Sequence, residues 1–171
     1  MGGFAVTDEA LKDGRIKTVI ALSDADIYAI KNLKIPVMVI TGDFDLIIND
    51  NLVAIPGYNA ANPPKELVVI KFGTHNGFTN LIWPMPPWNH NVTLYYLSSW
   101  LDCFLREDKE SCKTLEKPHR YLSTLSESKC NLDGKEKVIK RATGRRKTFT
   151  AFLLIFLFLA VLILYLRSKE G

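Results

Sequence analysis

Two short apolar runs, each halted by a glycine and followed by a titratable side chain, constrain this chain more than anything else in it. The first reads Ile-Pro-Val-Met-Val-Ile-Thr-Gly-Asp-Phe-Asp over residues 35–45. The second reads Lys-Glu-Leu-Val-Val-Ile-Lys-Phe-Gly-Thr-His-Asn-Gly-Phe over residues 65–78. The near-continuous apolar residues at 37–40 and 67–70 predict strands covered on both faces, the pattern of a parallel sheet. Asp45 then falls in the loop after the first strand, and His75 in the loop after the second. In open α/β sheets, ligands and reacting groups gather beyond the carboxyl ends of strands. An acid and then a histidine, so placed, follow the order of the last two members of a Ser…Asp…His triad.

Gly42-Asp43-Phe44-Asp45 resembles the G-x-x-D element of α/β-hydrolases, and Gly73-Thr74-His75-Asn76-Gly77-Phe78 resembles their G-x-H loop. The likeness is to the cap-less branch of dienelactone hydrolases, platelet-activating-factor acetylhydrolase-like esterases and cutinase-like polyester hydrolases. It covers roughly residues 1–110. It implies a serine esterase in which His75 is the general base and then the acid, while Asp45 orients the imidazole and stabilises its charged form. Asp43 is the second choice for the acid, because the family places that residue three positions after the glycine. An aspartate after a strand also commonly does no more than cap a turn, as Asp43 would after Gly42. No cofactor is implied.

The same resemblance exposes what the sequence lacks. The family carries its nucleophile on a strand–turn–helix elbow, G-x-S-x-G, upstream of the acid, and no such motif occurs here. Met1-Gly2-Gly3 resembles the last three letters of a G-H-S-M-G-G elbow, so the expectation is a chain that begins directly after the serine. An ordinary start at Met followed by Gly-Gly is the alternative. In an intact elbow the residue after the serine supplies one backbone N–H of the oxyanion hole, and that position corresponds to Met1. Ser23 ends a predicted strand but has no flanking glycines, so it is not expected to substitute.

Taken in order, residues 4–13 suggest a short helix with Thr7 as N-cap and Gly14 beyond its end. A strand is predicted over 16–22, and a short helix or turn over 24–33. Only about a dozen residues separate that strand from the next, too few for a cap domain. Strands over 16–22, 36–41 and 66–71 make a thin parallel sheet with an exposed edge. The Trp- and Pro-rich stretch 81–91 can line a leaving-group pocket through Trp83, Pro84, Pro86, Pro87 and Trp88; packing under a loop is the preferred reading. Residues 93–105 carry Leu94, Leu97, Leu101, Phe104 and Leu105 at helical spacing. Cys103 reads as a buried thiol, and Cys112 and Cys130 as a pair able to form a disulfide in an oxidising compartment. His90 and His119 read as surface residues, and Asn91-Val92-Thr93 is a glycosylation sequon.

Charge separates the chain into two parts. Residues 131–171 hold nine Lys/Arg and three Asp/Glu, a net of +6 against +4 for the whole chain, which leaves residues 1–130 at −2. The basicity belongs to the tail, and no nucleic-acid footprint is expected on the rest. Residues 149–166 are eighteen positions without a charge, about 27 Å of helix at about 1.5 Å per residue. That reaches the lower range for crossing a bilayer.

The sequence therefore predicts an α/β chain: a partial α/β-hydrolase fold of last parallel strands and helices over 1–110, a polar and basic linker over 111–147, a single transmembrane helix over 148–167 and a short tail over 168–171. The expected partners are a lipid bilayer and, for the parent enzyme, a small ester or lipid substrate. Seven Lys/Arg lie between 135 and 147 and two follow the span, which favours a tail anchor with the globular part in the cytosol. The sequon and the cysteine pair argue for a lumenal alternative. The function this implies is membrane-anchored ester hydrolysis through a Ser-His-Asp triad, with the chain inactive alone. The alternative is a non-catalytic single-pass membrane protein using a hydrolase-like remnant as an interaction module.

Overall fold

A computed structural model describes residues 2–50, 52–79, 88–130 and 136–142. Their order is α1 (Gly2–Lys12), β1 (Val19–Leu22), α2 (Ile27–Ile30), β2 (Val37–Gly42), α3 (Ala54–Ala60), β3 (Lys65–Ile70), a 3₁₀ turn (His75–Phe78), α4 (Trp88–Leu105), α5 (Lys109–Leu115), β4 (Leu122–Cys130) and β5 (Glu136–Ala142).

The five strands form one sheet in the order β1-β2-β3-β4-β5. β1 runs parallel to β2, with Val19 opposite Val37, and β2 parallel to β3, with Val37 opposite Lys65. β4 then joins β3 antiparallel, with Val68 opposite Leu125, and β5 pairs antiparallel with β4. The apolar runs behave as their composition requires: every residue of β2 and β3 is buried. Alternation divides them between two layers. Val37, Val39, Leu67 and Val69 meet α1–α3, while Met38, Ile40, Val68 and Ile70 meet α4, α5 and β4.

This architecture corrects the fold expected from sequence. The sheet is mixed, not a set of parallel strands, because α5, β4 and β5 occupy the stretch read as a linker. β4 covers the β3 edge that a three-stranded sheet would have left open. Among the described residues no helix is long and apolar enough to cross a membrane. Residues 148–167, where the transmembrane helix was expected, lie outside those described.

Local readings also change. Thr7 is no N-cap. It is fully buried inside α1, with its hydroxyl 2.8 Å from the Phe4 carbonyl, and it accepts the Asp26 N–H at 3.1 Å. Asp26 in turn caps α2 by accepting the Tyr28 N–H. On α4 the buried stripe is Val92, Tyr96, Trp100 and Cys103, whereas Leu94 and Leu105 face solvent. Cys103 is not a free thiol: it bonds Cys112, which rules out the Cys112–Cys130 pairing for that cysteine. The chain reverses between α4 and α5 at Glu107, whose φ of 57° is left-handed, and Asp108 N–H returns to Asp102 O at 3.1 Å.

Candidate functional site

The loops after β2 and β3 are held together by two glycines. A Cβ on Gly42 would lie 2.2 Å from the Gly73 backbone, and a Cβ on Gly73 would lie 2.7 Å from Gly42 Cα. Only hydrogen in place of a side chain permits this crossing. Around it Asp43 N–H donates to Ile70 O at 3.1 Å and Phe44 N–H to Gly73 O at 2.9 Å. The Asp43 carboxylate accepts the Phe72 N–H at 2.6 Å. Asp43 thus ties the two loops together through the backbone of a left-handed residue, Phe72, with φ of 54°.

Asp45 is placed differently. Its Oδ1 accepts the N–H groups of Ile47 and Ile48 at 2.9 and 2.8 Å, which fixes the carboxylate plane. Its Oδ2 lies 2.9 Å from His75 Nδ1. The Asp45 side chain is completely buried, while that of His75 is 30% exposed. The carboxylate is therefore spoken for on both oxygens, and the imidazole has one edge toward it and part of its surface toward solvent. With Asp45 ionised, Nδ1 carries the hydrogen and Nε2 is left with the lone pair. The 3₁₀ turn that starts at His75 is closed by Gly77 N–H to Thr74 O at 3.0 Å. Gly77 sits tightly against α4, since a Cβ there would fall 1.7 Å from Asn89 Nδ2. The start of α4 thus backs the histidine loop.

Of the residues singled out from sequence, the structure brings Asp45 and His75 together and keeps Asp43 in a loop-tying role. Met1, assigned the oxyanion position, lies outside the described residues, as do Trp83, Pro84, Pro86 and Pro87. His90 is exposed; His119 is half-buried between Tyr95 and Tyr121.

Ser23 has an unusual backbone. It follows β1 directly with φ of 65° and small residues, Ala21 and Ala25, two positions either side. A nucleophile elbow also bends sharply at its serine, but it presents the hydroxyl outward. Ser23 is 2% exposed and its Oγ has no hydrogen-bond partner among the described residues. It therefore makes no bond to His75 and offers no surface to a substrate.

An open apolar cleft of about 530 Å³, unmarked by any motif, lies beside the aspartate loop. Phe4, Ala25, Ile27, Tyr28, Ile48 and Val53 contribute to its wall. Ile48 is also the residue whose N–H holds Asp45. These residues come from four separate segments without periodicity, so only their nearness to strand ends could have marked them.

No family model matches the chain. The search of curated proteins likewise found no significant match.

Proposed function

We propose that Asp45 and His75 are the acid–base pair of a serine-esterase-type site acting on carboxylic esters with an apolar group. The observation that carries this reading is the 2.9 Å Asp45 Oδ2–His75 Nδ1 contact, with Asp45 Oδ1 already fixed by two backbone donors. In this reading Nε2 takes the proton of an attacking serine hydroxyl and the ester carbonyl becomes a tetrahedral oxyanion. The same proton then passes to the departing alcohol, leaving an acyl-serine that water hydrolyses by the reverse proton path. The neighbouring apolar cleft supports an apolar substituent on the ester. The nucleophile is not among the described serines at this site.

The test uses a fluorophosphonate probe and short p-nitrophenyl esters. The 171-residue chain alone is expected to give neither labelling nor turnover. A form carrying a Gly-x-Ser elbow segment directly ahead of Met1 is expected to label. In that form Asp45→Asn should lower kcat by about three to four orders of magnitude and Asp43→Asn far less. Equal or reversed effects of the two substitutions would sink the assignment. Labelling of the chain alone, lost in His75→Ala, would keep the acid–base pair and place the nucleophile inside these 171 residues.

A second reading, a non-catalytic interaction module, is favoured by the exposed apolar side chains Phe4, Val6 and Leu11 along α1. It expects no labelling in either form.

A further inference from the structure

A second cavity, of about 280 Å³, opens at the end of β3 and is lined by Lys71, Phe72, Trp88, Arg120 and Tyr121. We propose that it binds a planar organic anion of the aryl-phosphate class, with the ring on the aromatic wall and the charged group between Lys71 and Arg120. This rests on no part of the Asp45–His75 reading.

The wall is built from three chain segments joined by hydrogen bonds. Lys71 N–H donates to Tyr121 O at 2.7 Å, and Lys71 O accepts the Trp88 indole N–H at 3.0 Å. Both backbone groups of Lys71 thereby hold the cavity together. Trp88 and Tyr121 stack with ring centres 4.8 Å apart and planes 14° from parallel. A flat ligand ring can extend such a stack at about 0.5–1.5 kcal/mol beyond the area it buries.

The charge is one-sided. Arg120 lies over the Tyr121 ring at 4.6 Å and Lys71 over Phe72 at 5.5 Å. Among the described residues no carboxylate lines the cavity and neither cation takes part in an ion pair. Asp43, in the loop facing Phe72, accepts the Phe72 N–H at 2.6 Å. Residues 79–93, which lead from the histidine turn into α4, contain no Asp or Glu. Two cations held beside aromatic rings with no anion of their own match a dianionic oxygen group: the guanidinium can grip two oxygens and the ammonium acts as a point charge. The rings exclude water from one side, which strengthens both contacts. An unsubstituted phosphate would leave the aromatic wall unused, and a neutral ring would leave both cations unused.

Isothermal titration of the full chain with phenyl phosphate, inorganic phosphate and benzyl alcohol tests this. Phenyl phosphate should bind detectably at about 1 mM, inorganic phosphate at least about tenfold more weakly, and benzyl alcohol without measurable heat. Arg120→Gln and Lys71→Gln should each weaken phenyl phosphate by about tenfold, and added salt should weaken it further. Both side chains are exposed, so an unchanged thermal transition is expected and shows that each variant folds. Absence of phenyl phosphate binding, or binding indifferent to both substitutions, overturns the site. Equal affinity for inorganic and phenyl phosphate overturns the role of the rings.

Discussion

The two faces of the sheet are filled by opposite means. On the α1–α3 side the core is rich in alanine: Ala10, Ala21, Ala25, Ala54 and Ala61 are all buried. Helices come close there; Gly57 of α3 sits so near that a Cβ would lie 3.1 Å from the Ala25 side chain. On the α4–α5 side the space is filled by large side chains: Trp100 and Tyr96 are the largest fully buried ones among the described residues. Trp100 also donates its indole N–H to Thr18 Oγ1 at 2.7 Å. The difference matters for the candidate site. Close packing on the alanine side draws α1 and the loops after β1 and β2 together, which is where Asp45 and the apolar cleft lie. The aromatic side holds the histidine loop from behind through Asn89 and positions Trp88 and Tyr121. One face is sensitive to added volume, the other to lost volume.

The largest expected effect is on the aromatic face. Trp100→Ala removes a side chain that is 2% exposed and the indole hydrogen bond to Thr18 Oγ1, whose hydroxyl still donates to Pro36 O. Truncations of this kind cost about 3–5 kcal/mol, so denaturant unfolding of the full chain should shift by that amount or the variant should fail to fold. A loss below about 1 kcal/mol would show that α4 is not packed as described.

The alanine face should respond to the opposite change. Ala21 is completely buried in β1, and Ala21→Leu forces extra methylenes into a close-packed layer at a cost of about 1–3 kcal/mol. The matching experiment on the same face is Ala21→Gly, which removes volume and should cost about 1 kcal/mol, mostly through backbone freedom. If Ala21→Gly proved the worse of the two, the contrast between the faces would fail.

Much of this was readable from sequence where one rule dominates. β2 and β3 are buried on both sides, so their apolar runs announced them, and Gly42 and Gly73 marked where those runs stop. Asp45 and His75 follow those glycines and could be paired by order alone. β4 and β5 were not legible. Leu122–Cys130 and Glu136–Ala142 contain mostly polar and charged residues, which is also how a solvated linker reads. The Cys103–Cys112 bond was missed because it depends on a left-handed residue at Glu107, a conformation usually announced by glycine. The leucine stripe on α4 misled for another reason. Burial went to Val92, Tyr96, Trp100 and Cys103, a parallel stripe that includes polar-edged aromatics able to satisfy their own hydrogen bonds, as Tyr96 does by donating to Lys117 O at 2.9 Å.

The smallest expected effect lies at His119, where the aromatic face meets the proposed anion site. Its Nδ1 accepts the Tyr121 N–H at 3.3 Å, and its ring lies between those of Tyr95 and Tyr121. Burial pushes its pKa below the usual value of 6.5, and the adjacent Arg120 guanidinium pushes in the same direction. In the unfolded chain the imidazole is protonated first as pH falls, so the unfolded state binds more protons in the interval between the two values. Stability from neutral His119 is therefore complete above pH 6.5 and is lost as pH drops through the lower, folded value. His119→Gln removes this titration. Unfolding free energies of the two proteins should differ by a constant amount above pH 7, and the advantage of the unsubstituted chain should shrink below about pH 6.5. Every group common to the two proteins cancels in the difference. A gap that stays constant down to pH 5, or widens, would mean that His119 is as easily protonated in the fold as outside it, and that the aromatic face is more open to water at this corner than at Trp100.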